Sequence, residues 1–297
     1  MARVTVIGDA LLDVRVTPSR PMRPGADVPA SVDVGPGGQG ANVAVRLARR
    51  GVATRLVCRL GPDGAGELMR GTLASDGVEL LDLGAQRTGA VIVLVDGAGD
   101  RTMLSQRVPL LTSGPPPMDT LEADWLVVSG YVLLERSAGI SASGSSPRRA
   151  IAGCALGGGD AEAWMDAARS LQPHLVVVNV DEARALVGES TDGATLARRL
   201  AERLAAVAVV TEASGATGWI GDTLVTATAA DAPAVDTTGA GDAFLAAMVA
   251  GLSAAAWPPS RDALAAAMDT AAELAAAVTR VAGAQGRVPG EGEARSR

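Results

Sequence analysis

The sequence predicts an α/β protein with a doubly wound, mostly parallel sheet and a second, smaller sheet. Its 297 residues are 48% hydrophobic and 20% charged, a composition typical of a globular chain that can bury a substantial core. Short apolar runs alternate with helical segments, as in parallel sheets that are covered by helices on both faces. Residues 14–36 and 88–108 break this alternation with extended sequence, and we expect them to pair as the smaller sheet.

Each element of the N-terminal half is predicted from its apolar spacing and from the residues that end it. Residues 4–8 are a short apolar run, which predicts a buried strand. Residues 14–36 are rich in proline and β-branched side chains and are expected to be extended. Residues 40–50 have helical spacing and end at Gly51, a good C-terminal cap. The other elements predicted here are a strand at 53–60, a helix at 66–77 and a hairpin with strands at 88–96 and 101–108.

The C-terminal half continues the alternation. Apolar runs predict strands at 125–130, 175–179 and 207–211, with further short strands within 218–228. Alanine favours helix, and alanine-rich segments predict helices at 195–206, 243–256 and 263–281. Residues 137–160 show no assignable pattern, and the tail from Gly286 is expected to fray.

The composition excludes several classes of chemistry. All 26 basic residues are arginine, so the chain has no lysine for a Schiff base, a P-loop or a protein-kinase site. Its one histidine, His174, excludes a multi-histidine metal site. The net charge of −7 argues against a nucleic-acid partner, which would need a basic face.

The sequence also predicts a cytoplasmic protein with no membrane partner. Cys58 and Cys154 do not suggest a disulfide framework and are expected to be buried thiols in a reducing compartment. The first apolar stretch contains Asp9 and Asp13, which is unlike a signal peptide. The longest apolar run, residues 243–257, is shorter than the roughly 20 residues that span a bilayer.

Two glycine-rich segments, residues 35–42 and 236–242, each lead into a predicted helix. A helix N-terminus offers free N–H groups and a partial positive charge, and glycine lets a phosphate oxygen approach them. The second segment adds Asp242, a carboxylate that could accept a proton from an attacking hydroxyl group. Each segment alone also fits a tight turn, and Asp242 alone fits an N-cap.

Together the segments resemble the signatures of the ribokinase, or PfkB, family of carbohydrate kinases. Residues 37–44 resemble the N-terminal signature, and residues 236–244 match the C-terminal signature almost letter for letter. Weaker resemblances follow in the family's order at residues 60–66 with 77–78, 179–182, and 278–280 with 283–285. The likeness extends over about residues 4–289.

The resemblance implies a single ribokinase-like kinase domain over residues 1–297, with segments 14–36 and 88–108 inserted as a β-sheet lid over the sugar. It implies transfer of the γ-phosphate of ATP to a hydroxyl of a small sugar or sugar derivative, with ATP and Mg²⁺ required and K⁺ as a further expected cation. Asp242 is then the general base, and Gly239, Ala240 and Gly241 supply the anion hole.

The resemblance assigns the remaining site residues in three groups. The nucleotide group is Asn179, Glu182, Thr211, Ser214, Gly215, Gly239 and Gly241, with Glu182 also holding Mg²⁺ through water. The substrate group is Asp13, Gly38, Gln39, Asn42 and Asp242. The monovalent-cation group is Asp236, Thr238, Ala277, Arg280 and Gly283.

The chain departs from the family pattern in places, and alternatives stay open. The loop after residues 207–211 reads Thr211-Glu212-Ala213 instead of threonine, any residue, glycine. One alternative is a nucleoside or sugar-phosphate kinase, for which Arg15, Arg101 and Arg107 could supply positive charge. Another is a non-catalytic ligand-binding relative. Exposed lid strand edges also predict a homodimer.

Overall fold

Strands and helices alternate along most of the chain that the structure describes. The computed structural model describes residues 2–97, 101–111, 123–135, 147–156, 160–188, 192–230, 234–289 and 291–292. The strands are β1 (Arg3–Ile7), β2 (Leu11–Pro18), β3 (Ala30–Gly37), β4 (Ala53–Cys58), β5 (Glu79–Asp82), β6 (Gly89–Val95), β7 (Arg101–Gln106), β8 (Trp125–Val128), β9 (Arg148–Ala152), β10 (Leu175–Asn179), β11 (Val207–Glu212), β12 (Gly215–Ile220) and β13 (Thr223–Thr228). The helices are α1 (Gln39–Arg49), α2 (Gly64–Ser75), α3 (Gly130–Leu133), α4 (Asp160–Leu171), α5 (Val180–Val187), α6 (Gly193–Leu204), α7 (Ala240–Leu252) and α8 (Arg261–Val278).

Nine strands form a large sheet in the order β13-β12-β11-β10-β9-β8-β1-β4-β5. The strands from β11 to β5 pair in parallel, whereas β12 and β13 pair antiparallel at one edge. β8 and the first four residues of β10 are apolar and buried because helices cover both faces of the sheet. One core lies between the sheet and α1, α2, α7 and α8, and the other lies between the opposite face and α3–α6. The predicted fold class is confirmed.

A separate four-stranded sheet has the order β3-β2-β6-β7, in which only β2 and β6 pair in parallel. It comes from the two segments that break the alternation, as the sequence predicts. Because side chains alternate along a strand, Asp13 and Arg15 of β2 share one face. The neighbouring positions on the other face are aliphatic, and Val32, Val34 and Leu104 are each more than half exposed there.

Some elements are not predicted from the sequence. β5 and α3 have four residues each, and β9 falls within the segment that shows no assignable pattern. α4 does carry a readable signal, because Trp164, Ala168 and Leu171 are buried at helical spacing. Ala98 and Gly99, in the predicted hairpin turn, and residues 137–146 and 157–159 lie outside the described residues.

The prediction of a frayed tail is wrong for residues 286–289 and 291–292. Val288 is buried, and the Glu291 carboxylate lies 2.7 Å from the guanidinium of Arg46. Arg46 itself is completely buried on α1. The tail stays docked because a buried arginine requires a carboxylate partner.

Among the described residues, no helix combines the length and the apolar character that crossing a membrane would require.

Candidate active site

Asp242 lies in the first turn of α7, three residues after a glycine with an unusual backbone conformation. Gly239 caps the helix in the left-handed region, with φ of 79°. A Cβ added to Gly239 would lie 2.9 Å from the Cβ of Ala284, so this position requires glycine for both conformation and space. The N–H of Ala240 donates to the Thr237 carbonyl at 3.4 Å, which leaves it in a long, weak hydrogen bond. The helix N-terminus therefore presents its backbone N–H groups beside a carboxylate.

A chain of amide side chains orients that carboxylate. The amide of Asn42, on α1, donates to Asp242 Oδ2 at 2.8 Å. The amide of Gln285 donates to the Asn42 carbonyl oxygen at 3.0 Å. Asn42 and Gln285 are both buried, so their contacts fix the rotamer of each amide group. The structure thus joins the two glycine-rich segments through Asn42 and Asp242.

The pKa of Asp242 is raised from 3.8 to about 7. Burial is the main cause, the hydrogen bond from Asn42 acts in the opposite direction, and the charges of Asp9, Asp13 and Glu182 raise the pKa further. A carboxyl group that titrates near neutral pH can accept a proton and release it again.

A second carboxylate, Asp13, lies on β2 of the small sheet. Burial and the neighbouring Asp9 raise its pKa from 3.8 to about 6, while Arg107 lowers it. Arg107 forms an ion pair with Asp9, and its guanidinium lies 3.4 Å above the ring of Tyr131. Carboxylates grouped in this way can accept hydrogen bonds from adjacent hydroxyl groups of a polyol.

The turn into α1 is held by glycine and by one glutamine side chain. Gly38 has φ of 95°, and a Cβ there would lie 2.7 Å from the Asp9 carbonyl oxygen. Gln39 donates to the Gly153 carbonyl at 2.8 Å, and its side-chain oxygen accepts from Ser129 Oγ at 2.7 Å and Gly130 N at 2.9 Å. The Gln39 amide therefore ties α1 to the ends of β8 and β9. Among the described residues, its second N–H has no hydrogen-bond acceptor and can donate to a ligand.

Most of the residues predicted for the nucleotide line one cavity of about 150 Å³ at the carboxyl ends of β9–β11. Its wall contains Gln39, Asn179, Glu182, Thr211, Gly239, Gly241 and Asp242. Ligands of open α/β sheets bind at this edge. Ser214 and Gly215 do not line the cavity: Ser214 lies in the turn from β11 to β12, where its carbonyl accepts a hydrogen bond from Ala229.

Asn179 and Glu182 form a capping box at the start of α5. The Asn179 side chain accepts from Glu182 N at 2.9 Å, and Glu182 accepts from Asn179 N at 2.8 Å. Burial raises the pKa of Glu182, the hydrogen bond from Asn179 lowers it, and Asp181 raises it. A carboxylate that is costly to bury alone is stabilised by a nearby cation.

A second cavity, of about 380 Å³, lies between the small sheet and residues 282–286. Asp13, Arg15, Asp236, Thr238, Gly283 and Gln285 are in its wall. Asn42 bonds to a residue of each cavity, Asp242 of the first and Gln285 of the second. The site therefore has two compartments, and the Asn42 amide connects a wall residue of one to a wall residue of the other.

The residues of the predicted cation group come together around Asp236 and the end of α8. Asp236 Oδ1 accepts from Thr238 N at 2.9 Å, and Asp236 Oδ2 accepts from Gly283 N at 3.1 Å. Arg15 donates to Asp236 Oδ2 at 3.0 Å. Ala277 and Arg280 lie on either side of Thr279, whose carbonyl accepts from Asp236 N at 3.0 Å, and the Ala277 carbonyl accepts from Arg280 N at 3.2 Å.

The pKa of Asp236 is lowered. Burial would raise it, but the hydrogen bonds from Thr238 and Gly283 and the charge of Arg15 outweigh burial. Asp236 is therefore a stable carboxylate.

Sequence reasoning did not assign Asp9 and Gln285 to the site. Asp9 follows the first strand of the sheet, and a carboxylate at the carboxyl end of a parallel strand is a readable signal. Gln285 carries no comparable local signal, because its partner Asn42 is 243 residues away in the sequence.

The chain is similar in sequence to carbohydrate kinases and in fold to ribokinases. The sequence model described as pfkB family carbohydrate kinase matches residues 1–290. A fructokinase of Klebsiella pneumoniae is 30% identical, over 97% of this chain and 96% of that protein. The ribokinase structure from Thermotoga maritima has a TM-score of 0.76 at 22% identity, covering 97% of this chain and 96% of the other. The Arabidopsis thaliana ribokinase complexed with ribose and ATP has a TM-score of 0.73 at 22% identity, covering 96% and 94%. The similarity to these two structures shows that this chain has the ribokinase-like fold.

Proposed function

Because this chain belongs to the pfkB family of carbohydrate kinases, and is therefore a sugar kinase, we propose that it transfers the γ-phosphoryl group of ATP to a hydroxyl of a small sugar or sugar derivative. The observation that carries the proposal is Asp242, a carboxylate with a pKa of about 7 in the first turn of α7. It lies where N–H groups can receive a phosphoryl oxygen while the carboxylate receives a proton.

The proposed step is one in-line displacement. The acceptor oxygen forms a bond to the γ-phosphorus, the bond from that phosphorus to the leaving oxygen of ADP breaks, and the hydroxyl proton goes to Asp242. The Gly239, Ala240 and Gly241 backbone would stabilise charge on the transferring group. Asn42 holds Asp242 Oδ2, so the remaining oxygen is the one proposed to take the proton.

The nucleotide is proposed to bind the compartment that holds Asn179, Glu182 and Thr211. Mg²⁺ would neutralise phosphate charge there. The half-buried Glu182 carboxylate, whose pKa is raised, fits such a cation. Within the described part of the chain no three acidic, histidine or cysteine side chains cluster as metal ligands. Phosphates and water would therefore supply most ligands, as Mg²⁺ prefers.

The acceptor is proposed to bind at Asp13, Gly38, Gln39 and Asn42, with the small sheet as its lid in a single kinase domain. Two observations favour an unphosphorylated acceptor over a sugar phosphate. Arg15 is already paired with Asp236, and Arg107 with Asp9. Arginines that already have carboxylate partners are less available to a second phosphate group.

Replacing Asp13 by asparagine is expected to raise the KM for the acceptor by a factor of about 10–100, because a hydrogen bond to a charged group contributes about 1.5–3 kcal/mol. The KM for ATP should stay unchanged. Steady-state kinetics with each substrate varied in turn measures both constants. The matched control is Asp27→Asn, an exposed aspartate outside the site. A KM for the acceptor like that of the wild type would contradict the assignment.

The homodimer is proposed to form through the aliphatic face of the small sheet, which is the face opposite Asp13 and Arg15. Val34 and Ile92 flank Val14 in register, and Leu104 continues the row. An exposed apolar face of this kind favours association. Val34→Asp combined with Ile92→Asp is expected to turn a dimer into a monomer in sedimentation velocity. A wild-type chain that sediments as a monomer at micromolar concentration would rule the dimer out.

The function is tested by measuring ADP release with MgATP against pentoses, hexoses, sugar phosphates and nucleosides. We expect turnover with one class of unphosphorylated sugar. Turnover with a nucleoside or a sugar phosphate alone would select the corresponding alternative. Failure with every acceptor, together with no ATP binding in calorimetry, would overturn the proposal.

A further inference from the structure

The Asp236 carboxylate is already paired with the positively charged guanidinium of Arg15. Asp236 is 6% exposed, and Arg15 of the small sheet lies 3.0 Å from its Oδ2 atom. Arg101, on the same small sheet, donates to Thr238 Oγ1 at 2.9 Å and lies 3.8 Å from Asp236 Oδ1. A buried carboxylate is stable only with hydrogen-bond donors or a positive charge beside it, and both are present here.

With Arg15 in place beside Asp236, the predicted K⁺ group does not fit a bare cation. K⁺ is held by oxygen atoms that replace its water shell. Both Asp236 oxygens accept hydrogen bonds from backbone N–H groups. The Ala277 carbonyl accepts from Arg280 N at 3.2 Å, and the Gly283 carbonyl accepts from Gly286 N at 3.1 Å. Each of these oxygens therefore already accepts one hydrogen bond, and the positive charge of Arg15, 3.0 Å from Asp236 Oδ2, would repel a K⁺ ion there.

We propose that the Arg15 guanidinium, assisted by Arg101, takes the place of the monovalent cation at Asp236, so that phosphoryl transfer needs no K⁺. This inference rests on the proposed kinase function. Asp236 precedes the proposed anion hole by three residues, and its Oδ1 orients Thr238 N. Arg15 touches neither ATP nor the reacting atoms in this scheme. It is a positioning residue that acts through Asp236 on the backbone of Gly239.

The two arginines that contact the Asp236–Thr238 segment belong to the small sheet. Arg15 and Arg101 lie on β2 and β7, two strands of the sheet proposed as the lid. The charge therefore reaches Asp236 together with the small sheet, whereas a free ion would bind independently of it. Closing of the small sheet would then place Arg15 against Asp236 and so hold the backbone of the proposed anion hole, residues 239–241, in position.

The test compares KCl with tetramethylammonium chloride at equal ionic strength, so that general screening is constant. The wild type is expected to have the same kcat in the two salts within about twofold, and the same Tm. Arg15→Ala is expected to lose about tenfold or more in kcat, because it removes the positive charge beside the buried Asp236 carboxylate. KCl or methylguanidinium should restore part of that loss, and KCl should raise the Tm of this variant. Arg15→Lys, which keeps a positive charge, should retain more activity than Arg15→Ala.

The controls separate this inference from the proposed function. Arg20→Ala removes an exposed arginine that donates to the Asp27 carbonyl, and it should behave as the wild type does in both salts. Activation of the wild type by K⁺ of more than about fivefold, or a rise in its Tm specific to K⁺, would overturn the inference. Wild-type kcat in both Arg15→Ala and the double variant Arg15→Ala/Arg101→Ala would also overturn it. If no acceptor supports turnover and ATP does not bind, the kinase proposal fails, and the Tm comparison still decides whether Arg15 or K⁺ stabilises Asp236.

Discussion

Asp242→Asn is expected to lower kcat by a factor of about 10²–10⁴ while ATP binding survives, because removal of a general base typically has an effect of this size. Asparagine keeps the shape of the side chain and can still accept from Asn42, but it cannot take the hydroxyl proton. Stopped-time ADP-release assays measure kcat, and calorimetry measures the Kd for ATP. A matched control is Asp262→Asn, because Asp262 lies exposed in the first turn of α8. Turnover of the variant close to that of the wild type would rule out the proposed role of Asp242.

The pH dependence of kcat/KM should also reveal the role of Asp242 as a base. Since the pKa of Asp242 is about 7, its deprotonated form increases as the pH rises through that value. The wild-type kcat/KM is therefore expected to rise with pH and to level off above about 7. Asp242→Asn should lack this limb. A wild-type profile that is flat between pH 5 and 9 would contradict the pKa and the role together.

The contribution of Asp242 to the free energy of unfolding should fall as the pH rises, whereas kcat/KM should rise. The pKa of Asp242 is raised in the folded state, so its contribution is full below the unfolded value of 3.8 and is lost as the pH rises through about 7. Asp242→Asn removes a carboxylate that is unfavourable to ionise, so its Tm should match or exceed that of the wild type at alkaline pH. This readout separates lost catalysis from lost folding.

Glu291→Ala is expected to lower the free energy of unfolding by about 3–5 kcal/mol, since it leaves a buried cation without its partner. Arg46 is fully buried and donates to both Glu291 oxygens, at 2.7 and 2.9 Å. Its guanidinium also donates to the Ala284 carbonyl at 2.8 Å. Urea denaturation of the wild type and the variant measures the loss. The exposed Glu273, on α8, supplies the control Glu273→Ala, which should change stability by less than about 0.5 kcal/mol.

A double variant tests the mechanism of that loss. Arg46→Met combined with Glu291→Met removes both charges and should recover much of the stability, because a buried ion pair is often replaceable by apolar side chains. If Glu291→Ala unfolds at the same urea concentration as the wild type, the docked tail does not stabilise the chain. The effect should also reach the site, since Ala284 packs against Gly239 and the neighbouring Gln285 bonds to Asn42.

Much of the fold is predictable because its signals are local. The alternation of apolar runs and helices, the break at residues 14–36 and 88–108, and the glycines that end α1 and α2 are all readable in short windows. The short strand β5 and the two-turn helix α5 are missed because few residues carry each pattern. The docked tail is missed because its partner Arg46 is 245 residues away from Glu291.

The features of the candidate site likewise fall into two groups, those carried by local sequence and those that depend on distant contacts. The two glycine-rich segments, the carboxylate of Asp242 and the absence of lysine are readable from the residues alone, since residue type and immediate neighbours are sufficient for these features. Which groups contact each other depends on the folded chain: Asn42 bonds to Asp242 across 200 residues, and Arg15 bonds to Asp236 across 221. The tertiary structure also decided the pKa of Asp242, because burial and neighbouring charges come from distant parts of the chain. A local pattern specifies the chemistry that a segment can offer, and packing sets the partner, the charge state and the geometry with which that chemistry is used.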